Sequence, residues 1–138
     1  MQTGGHRAFW VSDGRSAATL ERATAAGLED AGSLDELAAR CDAIISLCPP
    51  HAAVDVARSV TGFAGIYVDA NAVSPATARS IAELHPRYVD GGIVGPPPHA
   101  PGTSRLYLSG EEAALVAGLF TGTALEPVVV SPITGAAS

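Results

Sequence analysis

Asp42-Ala43-Ile44-Ile45-Ser46-Leu47-Cys48-Pro49-Pro50 is the stretch that decides the fold. From Ala43 to Cys48 the run is nearly continuously apolar, the pattern of a strand buried on both faces of a parallel sheet. Pro49-Pro50 ends it, because proline lacks the ladder donor and restricts the residue before it. At the end of such a run Cys48 reads as a small buried hydrophobe.

Upstream, Ala8 to Val11 is a second strand candidate, ended by Ser12-Asp13-Gly14. Ser16 is placed to cap a helix running to about Ala26. Ser33 followed by Glu36 has the capping-box spacing for a short helix over Leu34 to Arg40. Downstream, a helix is expected from about Ala52 to Ser59 and a strand from Gly65 to Asp69. Ser74-Pro75 combines an N-cap with proline at the first helical position, opening a helix to about Leu84. Tyr88 to Asp90 reads as a strand ended by Gly91-Gly92, and the proline-rich segment Gly95 to Gly102 as an ordered loop. Leu106 to Ser109 is a strand, Glu111 to Phe120 a helix, and Pro127 to Val130 a last strand. Short β-α units repeated in this way predict an α/β fold with three layers, an open, mostly parallel sheet between helices. There are too few units for an eight-stranded barrel.

Composition narrows the function classes. The 138 residues fit one domain, in which about two-thirds of the unfolded surface can be buried. A hydrophobic content of 47% with 16% charged residues supports a core and argues against disorder. A formal net charge of -6 makes nucleic acid or an anionic membrane a poor partner. Cys41 and Cys48 lack CxxC spacing, and the four histidines form no metal-spaced set. No apolar segment reaches 18 residues and the first residues lack signal-peptide character, so a soluble chain in a reducing, cytoplasmic setting is expected. No Ser-His-Asp order, HExxH, Walker lysine or adjacent carboxylate pair is present to anchor a hydrolase or kinase.

Ligands of open parallel sheets lie beyond the carboxyl ends of the strands, which selects four places. Ser12-Asp13-Gly14-Arg15-Ser16 offers an arginine and a hydroxyl at a helix start, a set that suits a phosphate; it equally suits a capped turn with a solvated arginine. Cys48-Pro49-Pro50-His51 is a stiff loop able to lie against a ribose or adenine, or simply to lead into the next helix. Asp69 to Pro75 brings Asn71, a donor and an acceptor together, to the mouth of the sheet, where Asp69 and Asn71 serve equally as turn formers. Asp90-Gly91-Gly92-Ile93-Val94-Gly95-Pro96 permits close backbone approach, to a ligand or in a tight turn.

Taken together, WVSDGRSAAT, ISLCPPHAAVDVA, YVDANAVSPATA and YVDGGIVGPPP resemble, in order and spacing, the NADP-binding domain of the β-hydroxyacid dehydrogenase superfamily. That superfamily includes 6-phosphogluconate and 3-hydroxyisobutyrate dehydrogenases and the related imine reductases. The resemblance implies a sheet of the Rossmann type and runs from about Gly5 to the C-terminus. It also implies that Ser12, Arg15 and Ser16 meet the 2'-phosphate of NADP, and that Cys48 and Pro49 face the cofactor. Asn71 falls where relatives carry the first serine of a Ser-Thr-x-x-Pro motif near the nicotinamide, with Pro75 at its proline; Ala72 replaces the threonine. Val94 stands where a serine precedes the substrate-facing glycine, here Gly95. The replacements at Ala72 and Val94 leave an imine or another carbonyl-like substrate open.

The family's first strand and its Gly-x-Gly-x-x-Gly loop would precede residue 1; Met1 to His6 resembles only the end of the first helix and the approach to the second strand. The family's lysine acid and all-helical domain would follow a stretch like Gly135-Ala136-Ala137-Ser138. Residues 1–138 are therefore expected to form a partial NAD(P)-binding domain lacking the first strand, the glycine-rich loop and the helical domain. Weak NADP(H) binding and little turnover alone follow. Without a central strand, two inner strands would have open edges, inviting self-association. The competing expectations are a non-catalytic remnant or association module without cofactor binding, and another α/β module for a phosphosugar, favoured only by the Arg15 turn.

Overall fold

In the computed structural model the described residues are 6–137, so Met1 to Gly5 and Ser138 lie outside them. Strand β1 (Phe9–Trp10) leads through the Ser12 turn to helix α1 (Ala17–Ala25), whose N-cap Ser16 accepts from Thr19 N at 3.2 Å. A two-residue strand, β2 (Glu29–Asp30), precedes α2 (Leu34–Arg40), capped by Ser33 accepting from Glu36 N. β3 (Ala43–Ser46) runs through a 3₁₀ turn (Pro50–Ala52) into α3 (Ala53–Ser59). β4 (Ile66–Asp69) is followed by α4 (Pro75–Ala82), with Ser74 as cap and Pro75 in its first turn. β5 (Tyr88–Val94), β6 (Ser104–Ser109), α5 (Ala113–Leu119) and β7 (Leu125–Ser131) complete the order.

These strands form two sheets. β1 and β2 pair in parallel, while β3-β4-β5-β6-β7 form a five-stranded sheet whose first three strands are parallel. β6 runs antiparallel to β5, and β7 parallel to β6. The α/β, mostly parallel architecture expected from the sequence is thus present. Among the described residues β1 and β3 are each paired on one side only.

One apolar cluster joins Tyr67 and Tyr88 of the sheet to α2, α3 and α4 through Leu37, Ala57, Ala78 and Ile81. Phe9 and Val11 pack against the same cluster, so the small sheet shares this core. The opposite face packs Val68, Val89, Leu106 and Leu108 against Val116 and Phe120 of the α5 region. Three layers result, with β4 buried along its whole length.

Three expectations need correction. β3 is buried only at Ile44 and Ser46, because one of its edges is unpaired and Leu47 stands 59% exposed. Cys48 is accordingly half-buried rather than a core hydrophobe. β5 is not ended by Gly91-Gly92 but runs through them to Val94, because β6 pairs with this half of the strand. A Cβ at Gly91 would come 3.3 Å from the Asp69 carbonyl oxygen, so glycine keeps the strand straight beside the turn after β4.

Candidate functional site

The site is built at the carboxyl ends of β3, β4 and β5. Beyond β4 the chain turns at Ala70-Asn71-Ala72, and Ala72 takes φ of +52°, the only non-glycine positive φ among the described residues. Such a conformation costs an alanine about 1 kcal/mol and is held by its surroundings. Asn71 supplies the hold: its N–H donates to Asp69 Oδ1 at 2.9 Å, its Nδ2 to Ser46 Oγ at 2.9 Å, and its Oδ1 accepts from Cys48 N at 2.6 Å. A bridge to Gly92 ties the same residue to β5. Asn71 therefore joins the ends of three strands. Its side chain is buried and turned into the fold, where the sequence placed an amide at the open mouth.

Burial, and then the Asp90 carboxylate, push the Asp69 carboxyl above the usual range, against the opposing Asn71 N–H. Tyr67 is pushed up to about 12, chiefly by burial. His85 stacks on the Tyr67 ring at 4.2 Å between centroids, and its Nε2 lies 2.9 Å from the Ala57 carbonyl oxygen, which fixes the ring from behind.

The loop after β1 has a different character. Gly14, at φ +72°, makes the turn in which Arg15 N donates to the Ser12 carbonyl oxygen at 3.0 Å. Arg15 and Ser16 are exposed at the N-terminus of α1, and the Ser16 hydroxyl is engaged with Thr19 Oγ1 at 3.1 Å as well as in capping. Hydrogen bonds from Ser12 and Gly32, Ser12 first, hold the Asp30 carboxyl below its usual range; Gly32 N lies 2.8 Å from Oδ1. Val11, beside Ser12, and Cys48 belong to one apolar cluster, so this loop and the β3 loop border a common core.

Of the residues singled out in the sequence, Cys48 and Asn71 are brought into direct contact. Pro49 and His51 are exposed on the loop after β3, and Val94 is exposed at the far end of β5, paired with Arg105 of β6. Ser46, Ser109 and Asp30 were not singled out. Ser46 entered only as a member of the nearly continuous apolar run Ala43 to Cys48, and Ser109 and Asp30 carried no local signal. Among the described residues no group of three or more His, Cys, Asp or Glu side chains is placed to hold a metal ion. No helix among them is long and apolar enough to cross a membrane.

The strand order and the helices on its two faces define an α/β domain of the Rossmann type. More particularly, it has the fold of 3-hydroxyacid dehydrogenase-like and imine reductase proteins, as its sequence resemblance implied. A conserved protein of unknown function, described as structurally similar to 3-hydroxyacid dehydrogenases, matches with a TM-score of 0.77 and 30% identity, over 93% of this chain and 50% of that one. A reductive aminase from Aspergillus terreus, solved with NADPH and ethyl levulinate, matches in fold with a TM-score of 0.78 and 24% identity, over 97% of this chain and 49% of that one. An uncharacterised 28.5 kDa protein in the 7S RNA 5' region of Methanothermus fervidus is 35% identical over 85 residues, 59% of this chain and 34% of that protein. The chain thus spans about half the length of these structures and a third of the curated relative. No protein-family model matches it.

Proposed function

We propose that the chain is the cofactor-binding part of an NADP-dependent oxidoreductase acting on a small carbonyl or imine substrate. The observation that carries this reading is the Asn71 clamp, which gathers the ends of β3, β4 and β5 where sheets of this type take their ligands. An exposed arginine beside the N-terminus of a nine-residue helix adds a phosphate-compatible corner. Fit is best at Arg15, whose guanidinium is exposed; Ser12 and Ser16 already have partners in Asp30 and Thr19 and assist from occupied positions.

In this reading Arg15, with Ser12 and Ser16, holds the 2'-phosphate. Cys48 and Pro49 form the wall of the nucleotide site. Asn71 acts as a positioning residue, keeping the β4 turn in its strained shape beneath the nicotinamide end, and Val94 borders the substrate. Bound NADPH would supply a hydride from nicotinamide C4 to a carbonyl or imine carbon. The chain's own part is to orient and to exclude water. All eight cations of the sequence are arginines, so the lysine acid of the related dehydrogenases has no counterpart within it. Substrate chemistry, the helical domain and a cytoplasmic location belong to the proposed whole protein.

The test is calorimetric titration of folded chain with NADPH beside NADH, repeated with Arg15→Ala. Saturable binding that favours NADPH and weakens by about 10- to 150-fold in the variant is expected, since a charge-assisted phosphate contact contributes about 1.5–3 kcal/mol. No heat with either nucleotide would refute it. The reading as a non-catalytic association module is favoured by one observation, the one-sided pairing of β1 and β3. Light scattering showing a stable dimer with no nucleotide binding would support that module instead.

A further inference from the structure

Four neighbouring strands place a polar residue at one level of the sheet. Ser46 of β3 pairs with Asp69 of β4, Asp69 with Asp90 of β5, and Asp90 with Ser109 of β6. Residues paired in this way share a face, on strands about 4.8 Å apart. All four are buried, and both carboxyls are fully inaccessible. Two carboxylates directly opposed in a dry interior repel one another, with little solvent to screen them.

The surroundings favour an asymmetric solution. Asp90 Oδ2 accepts from Ser109 Oγ at 3.4 Å, and Ser109 Oγ accepts from Ala137 N at 3.1 Å, anchoring the C-terminal turn to the row. Asp69 Oδ1 accepts from Asn71 N, while its Oδ2 is buried without a partner; one row back, the buried Tyr67 and Tyr88 hydroxyls lie beside Ser46 and Asp90. Asp69 is flanked by Ser46 of β3 and Asp90 of β5, with Asn71 in its own turn; Tyr67 and Tyr88 lie one row back on the same face, Ser109 lies beyond Asp90 on β6, and Cys48 contacts Ser46 and Asn71. His85, on Tyr67, comes from the segment after α4. The Asp90 carboxylate is the charge that acts on Asp69 among them.

We propose that Asp69 and Asp90 share one proton at neutral pH, carried on Asp69, so that the pair acts as a pH-sensitive latch for the Asn71 clamp and the C-terminal turn. When the latch opens, the Asp69 O–H bond breaks and the proton passes to solvent water. Two facing carboxylates remain, one bonded to Asn71 N and the other to the Ser109 hydroxyl that holds Ala137. The sign follows from burial: a carboxyl raised in the fold binds more protons there than in the unfolded chain. Its stabilising contribution is complete at acid pH and is lost as pH rises through the folded value of the pair.

The experiment is infrared spectroscopy of the whole chain, free of nucleotide and labelled with ¹³C at aspartate carboxyls, together with thermal melts from pH 5 to 8 for wild type and Asp69→Asn. Expected are a protonated carboxyl band at pH 7 that Asp69→Asn abolishes, and a decline of wild-type Tm with pH that the variant flattens. Absence of that band in folded wild-type chain would overturn the proposal, whether or not the variant folds. So would a band that survives Asp69→Asn, or a Tm raised by KCl but not by choline chloride at equal ionic strength, which would assign the pair to a bound cation. Because no nucleotide is present, failure here is separate from failure of the proposed cofactor site.

Discussion

Replacing Asn71 by alanine removes both of its side-chain ties to the β3 end at once, while leaving the backbone bond to Asp69 and the bridge to Gly92 intact. The lost interactions are side-chain hydrogen bonds, to Ser46 Oγ at 2.9 Å and from Cys48 N at 2.6 Å. A further consequence is a buried Ser46 hydroxyl that loses its Asn71 donor and keeps its weak contact to Cys48 Sγ at 3.7 Å and the neighbouring Tyr67 hydroxyl. At about 1 kcal/mol for each bond, with a further fraction for the under-satisfied hydroxyl, the loss comes to about 2–3 kcal/mol. That is a sizeable part of the roughly 5–15 kcal/mol that stabilises a domain. For a chain of this length it lowers Tm by roughly 6–12 °C. Urea unfolding should show a lower midpoint with an unchanged slope, and a double-mutant cycle with Ser46→Ala should return a coupling of about 1 kcal/mol. A loss below about 0.5 kcal/mol, or additive single variants, would refute the clamp.

Ala72→Gly is expected to stabilise the chain by about 0.5–1 kcal/mol, because glycine adopts φ +52° without strain; a lower Tm would contradict this. Gly65→Ala should cost more than about 2 kcal/mol in chemical denaturation, since its Cβ would collide with the Asp42 carbonyl oxygen and the Phe63 ring. Ser74→Ala, which removes the acceptor for Thr77 N, should cost about 1 kcal/mol and leave nucleotide titration curves unchanged. Leu106→Ala, in the core beneath α5, should cost about 2–5 kcal/mol by thermal melt.

Local chemistry was legible wherever it acts over a few residues. Ser16, Ser33 and Ser74 cap the helices for which they were named, because a hydroxyl needs only the amide three positions on. Ala43 to Ser46, Ile66 to Asp69 and the helices between them were likewise readable as β-α units, from composition and punctuation alone. β2 was not legible: Glu29 and Asp30 are exposed, and only pairing with Phe9 and Trp10 makes them a strand. The antiparallel turn of β6 and the passage of β5 through two glycines were hidden for the same reason.

The candidate site divides along that line. By itself the sequence determined which loops end the strands: Ser12 to Ser16 follows β1, and Cys48-Pro49 and Asn71 follow β3 and β4. Tertiary structure alone decided that Asn71 turns inward to Ser46 and Cys48, and that Asp69 faces Asp90 in a buried row with Ser46 and Ser109. Strand register is set by packing across the whole sheet, in this row between residues about twenty positions apart, and no local pattern in the chain encodes it.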